Sequence, residues 1–331
     1  MKPILSVIMP SYNYEKFIGD AIASVLSQGV NFELLIVDDF STDRSREIIR
    51  DWMKKDRRIK AMFHTSNLGI ARTLNDGIRS SIGKYVALMS SDDMFRSGAF
   101  ASIVKVMENH LDCGVAVLEA ECVDETNARL GFRFSDLYRK PSVFKGSYFP
   151  DLVKSNFICT GVIRRRILED KAIFFDERLK YLNDWTFWLD LSCVTHFVYL
   201  NEPLYYYRIH RSSSSSVRSF DREIYEVILT RYADRLDARA RSLLLRNNGL
   251  ASGYSNDFDR ARRYFHDSIR TNPIITQKLL TLVLLALMRS PRLFKLVCLN
   301  LWQNRSLTRF RARRLRGRAV VAQSSQELKT Q

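Results

Sequence analysis

Over the first 120 positions the apolar residues alternate between two rhythms. Residues 4–9, 32–37, 59–63, 84–89 and 114–118 are short runs rich in Val, Ile, Leu and Met with little polar alternation, the pattern of strands buried on both faces. Between them Phe17, Ile18, Ala21, Ile22, Val25 and Leu26 recur at helical spacing, and Ile48, Ile49 and Trp52 mark a second helix opened by the capping cluster Ser41-Thr42-Asp43. Strand and helix in repeated alternation predict a parallel sheet with crossover helices on its faces.

Past about residue 120 the rhythm loosens into mixed polar and aromatic sequence. An apolar patch at 157–163, a helical pattern around 184–193 and a Tyr-rich strand candidate at 203–209 complete the same domain. The run Ser212 to Ser216 then separates it from a region that reads as helix throughout, so a boundary is expected near residue 218. In that region Asn248-Gly249-Leu250-Ala251-Ser252-Gly253, Ala261-Arg262-Arg263-Tyr264-Phe265 and Pro273 look like one hairpin of tetratricopeptide type. A single copy makes no solenoid.

Charge changes the picture at one end of the chain. The 331 residues carry a formal net charge of +16, yet Asn272 to Gln331 holds 12 Lys and Arg against the single acid Glu327. The rest is nearly balanced, so an anionic partner is expected to meet the C-terminus. Leu279 to Met288, then Leu293 to Trp302, are apolar stretches flanked by Arg289, Arg292 and seven arginines between Arg305 and Arg318. Apolar helix faces beside arginines suit peripheral attachment to an anionic membrane face. The competing reading is an ordinary helical core with a disordered basic end. The longest apolar stretch, 279–288, is half of the roughly 20 residues that a spanning helix needs.

The N-terminal apolar run stops at Pro10, short of a signal peptide, which predicts a cytoplasmic chain, and the C-terminal helices then place it peripherally on the inner face of the cytoplasmic membrane. Five cysteines without a Cys-x-x-Cys pair offer neither a zinc knuckle nor a redox motif.

The unusual polar residues sit where strands end. Pro10-Ser11-Tyr12-Asn13 follows the first strand, Asp38-Asp39-Phe40-Ser41-Thr42-Asp43 the second and Ser90-Ser91-Asp92-Asp93 the fourth. In an open α/β sheet, ligands bind outside the carboxyl ends of the strands, so these loops are expected to line one crevice. Adjacent buried carboxylates repel and call for a cation. Mg²⁺ or Mn²⁺, held by one or two carboxylates with phosphate oxygens completing the shell, points to a nucleoside diphosphate companion. Turn and cap roles for the same aspartates are the plainer alternative.

These residues carry a resemblance. Ser6 to Asn13, Val37 to Asp43, Asn67-Leu68-Gly69 with Asn75-Asp76-Gly77, and Gly83 to Asp93 together resemble the inverting glycosyltransferases of family 2, over about residues 4 to 212. The resemblance implies an A-type glycosyltransferase fold (α/β, a Rossmann-like mostly parallel sheet) with a C-terminal helical extension. A catalytic domain over 1–218 would hold a nucleotide-binding half to about residue 120 and an acceptor half after it, with 219–331 as the extension. It implies a nucleotide-sugar donor, UDP- or dTDP-linked, and a saccharide or lipid-linked saccharide acceptor in cell-surface polysaccharide synthesis. Pro10 and Tyr12 would flank the base and Asp39 accept its ring N–H, while Asp38 supports the loop. Asp92 would meet a ribose or sugar hydroxyl, Asp93 the metal, and Arg72 the diphosphate.

Asn183-Asp184-Trp185 resembles the family's Glu-Asp motif with Asn183 in place of Glu, which implies Asp184 as the base. Tyr206-Tyr207-Arg208-Ile209-His210 resembles a later segment in which His210 reaches the metal or diphosphate. Trp185 and Trp188 could stack on a sugar or serve as core.

Other classes fit less well. A sugar-nucleotide nucleotidyltransferase would show a Gly-rich loop after the first strand. A dehydrogenase would show G-x-G-x-x-G. Nucleic-acid binding would rest on the basic tail alone.

Overall fold

The computed structural model describes residues 2–138, 140–179, 182–210 and 222–304, with side chains described except at 222 and 298–304. The serine run, the boundary near 218 and the arginines at 305–318 lie outside the described residues. Two compact units divide the chain: Met1–Ser135 with Arg139–Leu152 and Asn156–Ser213, and Asp136–Tyr138 with Val153–Ser155 and Ser214–Gln331.

In the first unit β1 (Leu5–Ser11), α1 (Ile18–Leu26), β2 (Phe32–Asp38), α2 (Ser45–Lys55), β3 (Ile59–Phe63), α3 (Ile70–Ser80) and β4 (Tyr85–Leu88) alternate as the apolar pattern predicts. Then follow β5 (Met94–Phe95), α4 (Ala99–Asn109), β6 (Cys113–Val123), β7 (Arg129–Arg133), α5 (Phe134–Leu137), β8 (Lys145–Gly146), α6 (Phe149–Leu152), β9 (Thr160–Arg164), α7 (Arg165–Asp170), α8 (Asn183–Ser192) and β10 (His196–Arg208). The sheet runs β3-β2-β1-β4-β9-β6-β10-β5, with β7 beside β6 and β8 beside β10.

β1 lies parallel between β2 and β4, with Ser11 opposite Asp38 and Ile8 opposite Leu88. The chain therefore leaves all three strands at one edge of the sheet, the geometry of a ligand crevice. β9 enters antiparallel between β4 and β6, and the sheet becomes mixed there. β10 pairs parallel with β6 along most of its length, with shifts of register between Leu200 and Pro203 and between Pro203 and Tyr205.

Two glycines of the quoted motifs serve packing. A Cβ on Gly77 would lie 2.4 Å from Ile8 Cγ2, and one on Gly83 2.6 Å from the backbone nitrogen of Ser6. Around Gly83, Ser6 Oγ donates to Glu33 (2.6 Å) and accepts from the Gly83 N–H (2.8 Å), while Lys60 pairs with the other Glu33 oxygen at 2.8 Å. The buried Glu33 is satisfied, and its carboxyl is held below its ordinary range by Lys60, Ser6 and the Ile82 N–H against the opposing effect of burial.

The second unit contains α9 (Arg222–Arg231), α10 (Ala238–Tyr254), α11 (Phe258–Thr271), α12 (Ile275–Leu287) and α13 (Pro291–Asn304). Asp237 and Asp257 cap α10 and α11 by accepting from the Ala240 and Arg260 N–H groups. Leu250, Ala261, Phe265, Leu284, Met288 and Phe294 form its core. Gly249 gives room for the Phe265 ring, which a Cβ would meet at 2.6 Å. Among the described residues no helix is long and apolar enough to cross a membrane.

Candidate active site

The loops after β1 and β2 are laced together by side chains bonding to backbone. Asn13 Oδ1 accepts from the Thr42 N–H (2.8 Å), Ser41 Oγ accepts from the Asn13 N–H (2.9 Å), and Ser45 Oγ accepts from the Tyr14 N–H (2.9 Å). Asn13 and Phe40 adopt positive φ, 57° and 68°, which gives both loops their sharp turns. The capping cluster acts through Asp43, which accepts from the Ser45 N–H at the start of α2 and from the Glu15 N–H.

Asp38 is fully buried and turned into its own loop. It accepts from the Ser41 N–H (3.0 Å), the Ser41 hydroxyl and Arg46 Nε (2.6 Å). Asp39 reaches the other way. Its Oδ1 accepts from the Leu68 N–H (2.7 Å) and lies 2.8 Å from His64 Nδ1, and its Oδ2 accepts from the Gly69 N–H (2.8 Å). The Asn67-Leu68-Gly69 motif is thus an anchor for Asp39. A carboxylate offers about four acceptor positions, so Asp39 keeps capacity for one more donor.

At the end of β4, Asp92 and Asp93 sit in a turn gripped by the end of β10. Asp92 accepts from the Ser90 hydroxyl and lies 2.8 Å from His210 Nε2, with the Tyr14 hydroxyl beside it. Asp93 accepts from the Arg208 N–H at 2.8 Å, with the Tyr205 hydroxyl, which accepts from the Ser90 N–H, beside it. The Arg208 side chain is wholly buried. Its Nε donates to the Asp92 carbonyl (2.6 Å), its guanidinium lies 4.8 Å from the Phe17 ring centroid, and Asp20 lies 3.5 Å away. One residue therefore clasps the aspartate pair through both backbone and side chain.

Burial, followed by the neighbouring Asp92 charge, holds the Asp93 carboxyl well above the ordinary carboxylate range. Burial and the same two aspartates raise the Tyr14 hydroxyl. Among the described residues no group of three or more His, Cys, Asp or Glu side chains forms a metal cage. Two adjacent carboxylates nonetheless match what Mg²⁺ or Mn²⁺ takes from a protein when phosphate oxygens and water supply the remaining ligands. Ser11 Oγ and Ser91 Oγ, buried at the same strand ends, have no hydrogen-bond partner among the described residues.

The family model "Glycosyl transferase family 2" matches residues 6–171, half of the chain. The chain belongs to glycosyltransferase family 2. An uncharacterized glycosyltransferase of Haemophilus influenzae is 28% identical over 224 residues, covering 65% of this chain and 68% of that protein. TuaG of Bacillus subtilis, whose name places it in teichuronic acid biosynthesis, is 42% identical over 96 residues, 29% of this chain and 38% of its own length. The crystal structure of S. aureus TarS 1–349 with UDP-GlcNAc matches with a TM-score of 0.64 at 22% identity over 92% of both chains, which shows the shared A-type fold.

In this family 2 enzyme Asp184 lies in the first turn of α8, half-buried, where Asn156 Nδ2 donates to its Oδ2 at 2.7 Å. Burial raises its carboxyl, partly offset by Asn156 and backbone N–H groups. From Asn156 the chain runs to Thr160, whose hydroxyl donates to the Leu88 carbonyl at the end of β4. Four residues span at most about 14 Å, so this segment ties the partner of Asp184 to the end of β4, the strand that leads into the Asp92–Asp93 turn.

The other sequence candidates divide. Pro10 is buried at the edge of the sheet and Tyr12 is exposed beside it. Arg72 is bound along α3 to Asp76 (2.9 Å) and lies 3.6 Å from Glu177, so a diphosphate contact requires it to exchange partners. Trp185 donates from Nε1 to the Leu152 carbonyl (2.7 Å), and Trp188 packs over Gly161, so both are core. Tyr14, Tyr205, Arg208 and Asn156 received no role from the sequence. Arg208 was the most accessible of these, since a lone cation in a Tyr-rich strand invites a search for its acids.

Proposed function

We propose that this glycosyltransferase moves a sugar with inversion from a UDP- or dTDP-sugar to a saccharide or lipid-linked saccharide acceptor of cell-surface polysaccharide. The observation that carries the reading is the aspartate turn, Asp92 and Asp93, held by Arg208 at the sheet edge where the Asp39 loop also emerges. TarS, solved with UDP-GlcNAc, supports the uridine choice, and TuaG supports an envelope polysaccharide. Peripheral placement on the inner face of the cytoplasmic membrane belongs to the same reading.

Pro10 and Tyr12 border the base, and the spare acceptor position of Asp39 takes the ring N–H of uracil or thymine. Asp93 is the foremost metal ligand, with His210 adjacent through Asp92. Asp92 orients a ribose or sugar hydroxyl. A bound Mg²⁺ or Mn²⁺ would neutralise charge growing on the leaving diphosphate. Asp184, ionised, accepts the proton of the acceptor hydroxyl as that oxygen bonds to the anomeric carbon. The bond from that carbon to the phosphate oxygen breaks, and the nucleoside diphosphate leaves with its electron pair. One base and one displacement invert the anomeric centre, in contrast to the two flanking carboxylates of a retaining hydrolase.

The test is a panel of UDP- and dTDP-sugars with Mg²⁺ or Mn²⁺, measuring released nucleoside diphosphate and donor binding. Asp93→Ala is expected to weaken metal-dependent donor binding. Asp184→Asn is expected to keep binding and lose about 10²- to 10⁴-fold in transfer. Wild-type rates from both variants would sink the assignment.

A further inference from the structure

In the second unit, α12 and α13 are apolar on two sides. One side is spent on the core, through Leu284, Met288 and Phe294. On the opposite side of α12, Ile275, Leu279, Leu282 and Val283 follow the spacing i, i+4, i+7, i+8 and remain exposed, Ile275 by 73% and Leu279 by 55%. Leu293 and Leu296 of α13 are exposed as well. Scattered surface leucines need no explanation, but a continuous helical stripe does.

The charge around the stripe selects its occupant. No Asp or Glu occurs from Asn272 to Gln326, whereas Lys278, Arg289, Arg292 and Lys295 border or flank these helices. The sequence after Asn304 adds eight basic residues against Glu327. A second copy using this face across a two-fold axis would bring two cation-rimmed faces together without an acid of these helices between them. An anionic lipid surface takes up both properties at once, with the aliphatic stripe at the acyl boundary and the cations at the headgroups. At 13 residues α12 is about 20 Å long, too short to cross a bilayer core of about 30 Å and suited to lying in its surface.

We propose that the exposed stripe Ile275, Leu279, Leu282 and Val283, continued by Leu293 and Leu296, is a docking face for an anionic lipid surface. It deepens the lipid-linked-acceptor part of the functional reading by naming the surface that meets the bilayer, and it does not depend on the chemistry of the first unit.

The experiment is co-sedimentation of the full chain with vesicles of phosphatidylcholine, with and without a one-third share of phosphatidylglycerol. A Leu279→Ser/Leu282→Ser/Val283→Ser variant is compared, and a Leu293→Ser/Leu296→Ser variant serves as an independent second disruption. Circular dichroism and UDP binding report folding and the catalytic unit separately. The wild type should bind the anionic vesicles, and each variant should lose at least about tenfold in affinity with helicity and UDP binding unchanged. Variants that bind as tightly as the wild type would assign attachment to the basic tail alone and overturn the proposal. So would a wild type that ignores the vesicles, or one that forms lipid-free dimers abolished by the triple substitution. Loss of UDP binding in the wild type would strike the functional reading and leave this result standing.

Discussion

The residue with the sharpest chemical consequence is Asn156, which touches the carboxyl of Asp184, the proposed base. Its amide stabilises the ionised form of Asp184, while burial favours the protonated form and prevails. A base must be ionised to act, so transfer should rise with pH along a limb displaced above the ordinary carboxylate range. Removing the amide donor in Asn156→Ala leaves only the backbone N–H groups to oppose burial and should move that limb to higher pH in a kcat–pH profile. An unmoved limb would show that Asp184 does not set it. The same shift bears on stability. Because the native carboxyl holds its proton more tightly than the unfolded chain does, ionising it costs stability as pH rises through its native pKa. Asp92 and Asp93 stood out as candidates because paired acids after an apolar strand are conspicuous in sequence, and Asp184 because Asn183-Asp184-Trp185 resembles the family's Glu-Asp motif. Arg208 and Tyr14 did not, because what they do depends on partners about 80 to 120 positions away.

Among elements, the parallel strands were easy to read and β9 was not. A strand covered on both faces shows an unbroken apolar run whichever way it points, so the patch at 157–163, read only as apolar, disclosed neither that β9 is a strand nor its direction. Its antiparallel entry between β4 and β6 is set by the connections around it. The turn into β4 offers a test of how tightly the edge of the sheet is built. Gly83→Ala would press a methyl group against the backbone of Ser6, where no flexible side chain can yield. A loss of about 1–3 kcal/mol in unfolding free energy is expected from denaturant titration, with donor affinity falling only as the folded fraction falls. Gly249, facing one aromatic ring in the helical hairpin, has more room to adjust because that ring can turn.

For the whole molecule, the division of labour is visible in charge. The first 271 residues are nearly neutral and hold the acids, while the second unit leads into the basic end. Composition alone displayed this asymmetry, but it could not say that one side of α12 is buried and the other bare, since both are leucine-rich. Ligand linkage should therefore act through the first unit. UDP with Mn²⁺ at about a hundredfold excess over Kd should add about 2.7 kcal/mol of stability to whatever unfolds with the site, read as a rise in Tm. That rise should be absent in Asp93→Ala and intact in Asp184→Asn. The offsets within β10 have a consequence of their own. Between Leu200 and Tyr205 the strand falls out of step with β6 twice, and only after those slips does Arg208 arrive opposite the twin acids. Deleting a single residue there would bring Ile209 into the place of Arg208 and turn the guanidinium away, so a kink several residues upstream keeps the time for the whole aspartate clasp.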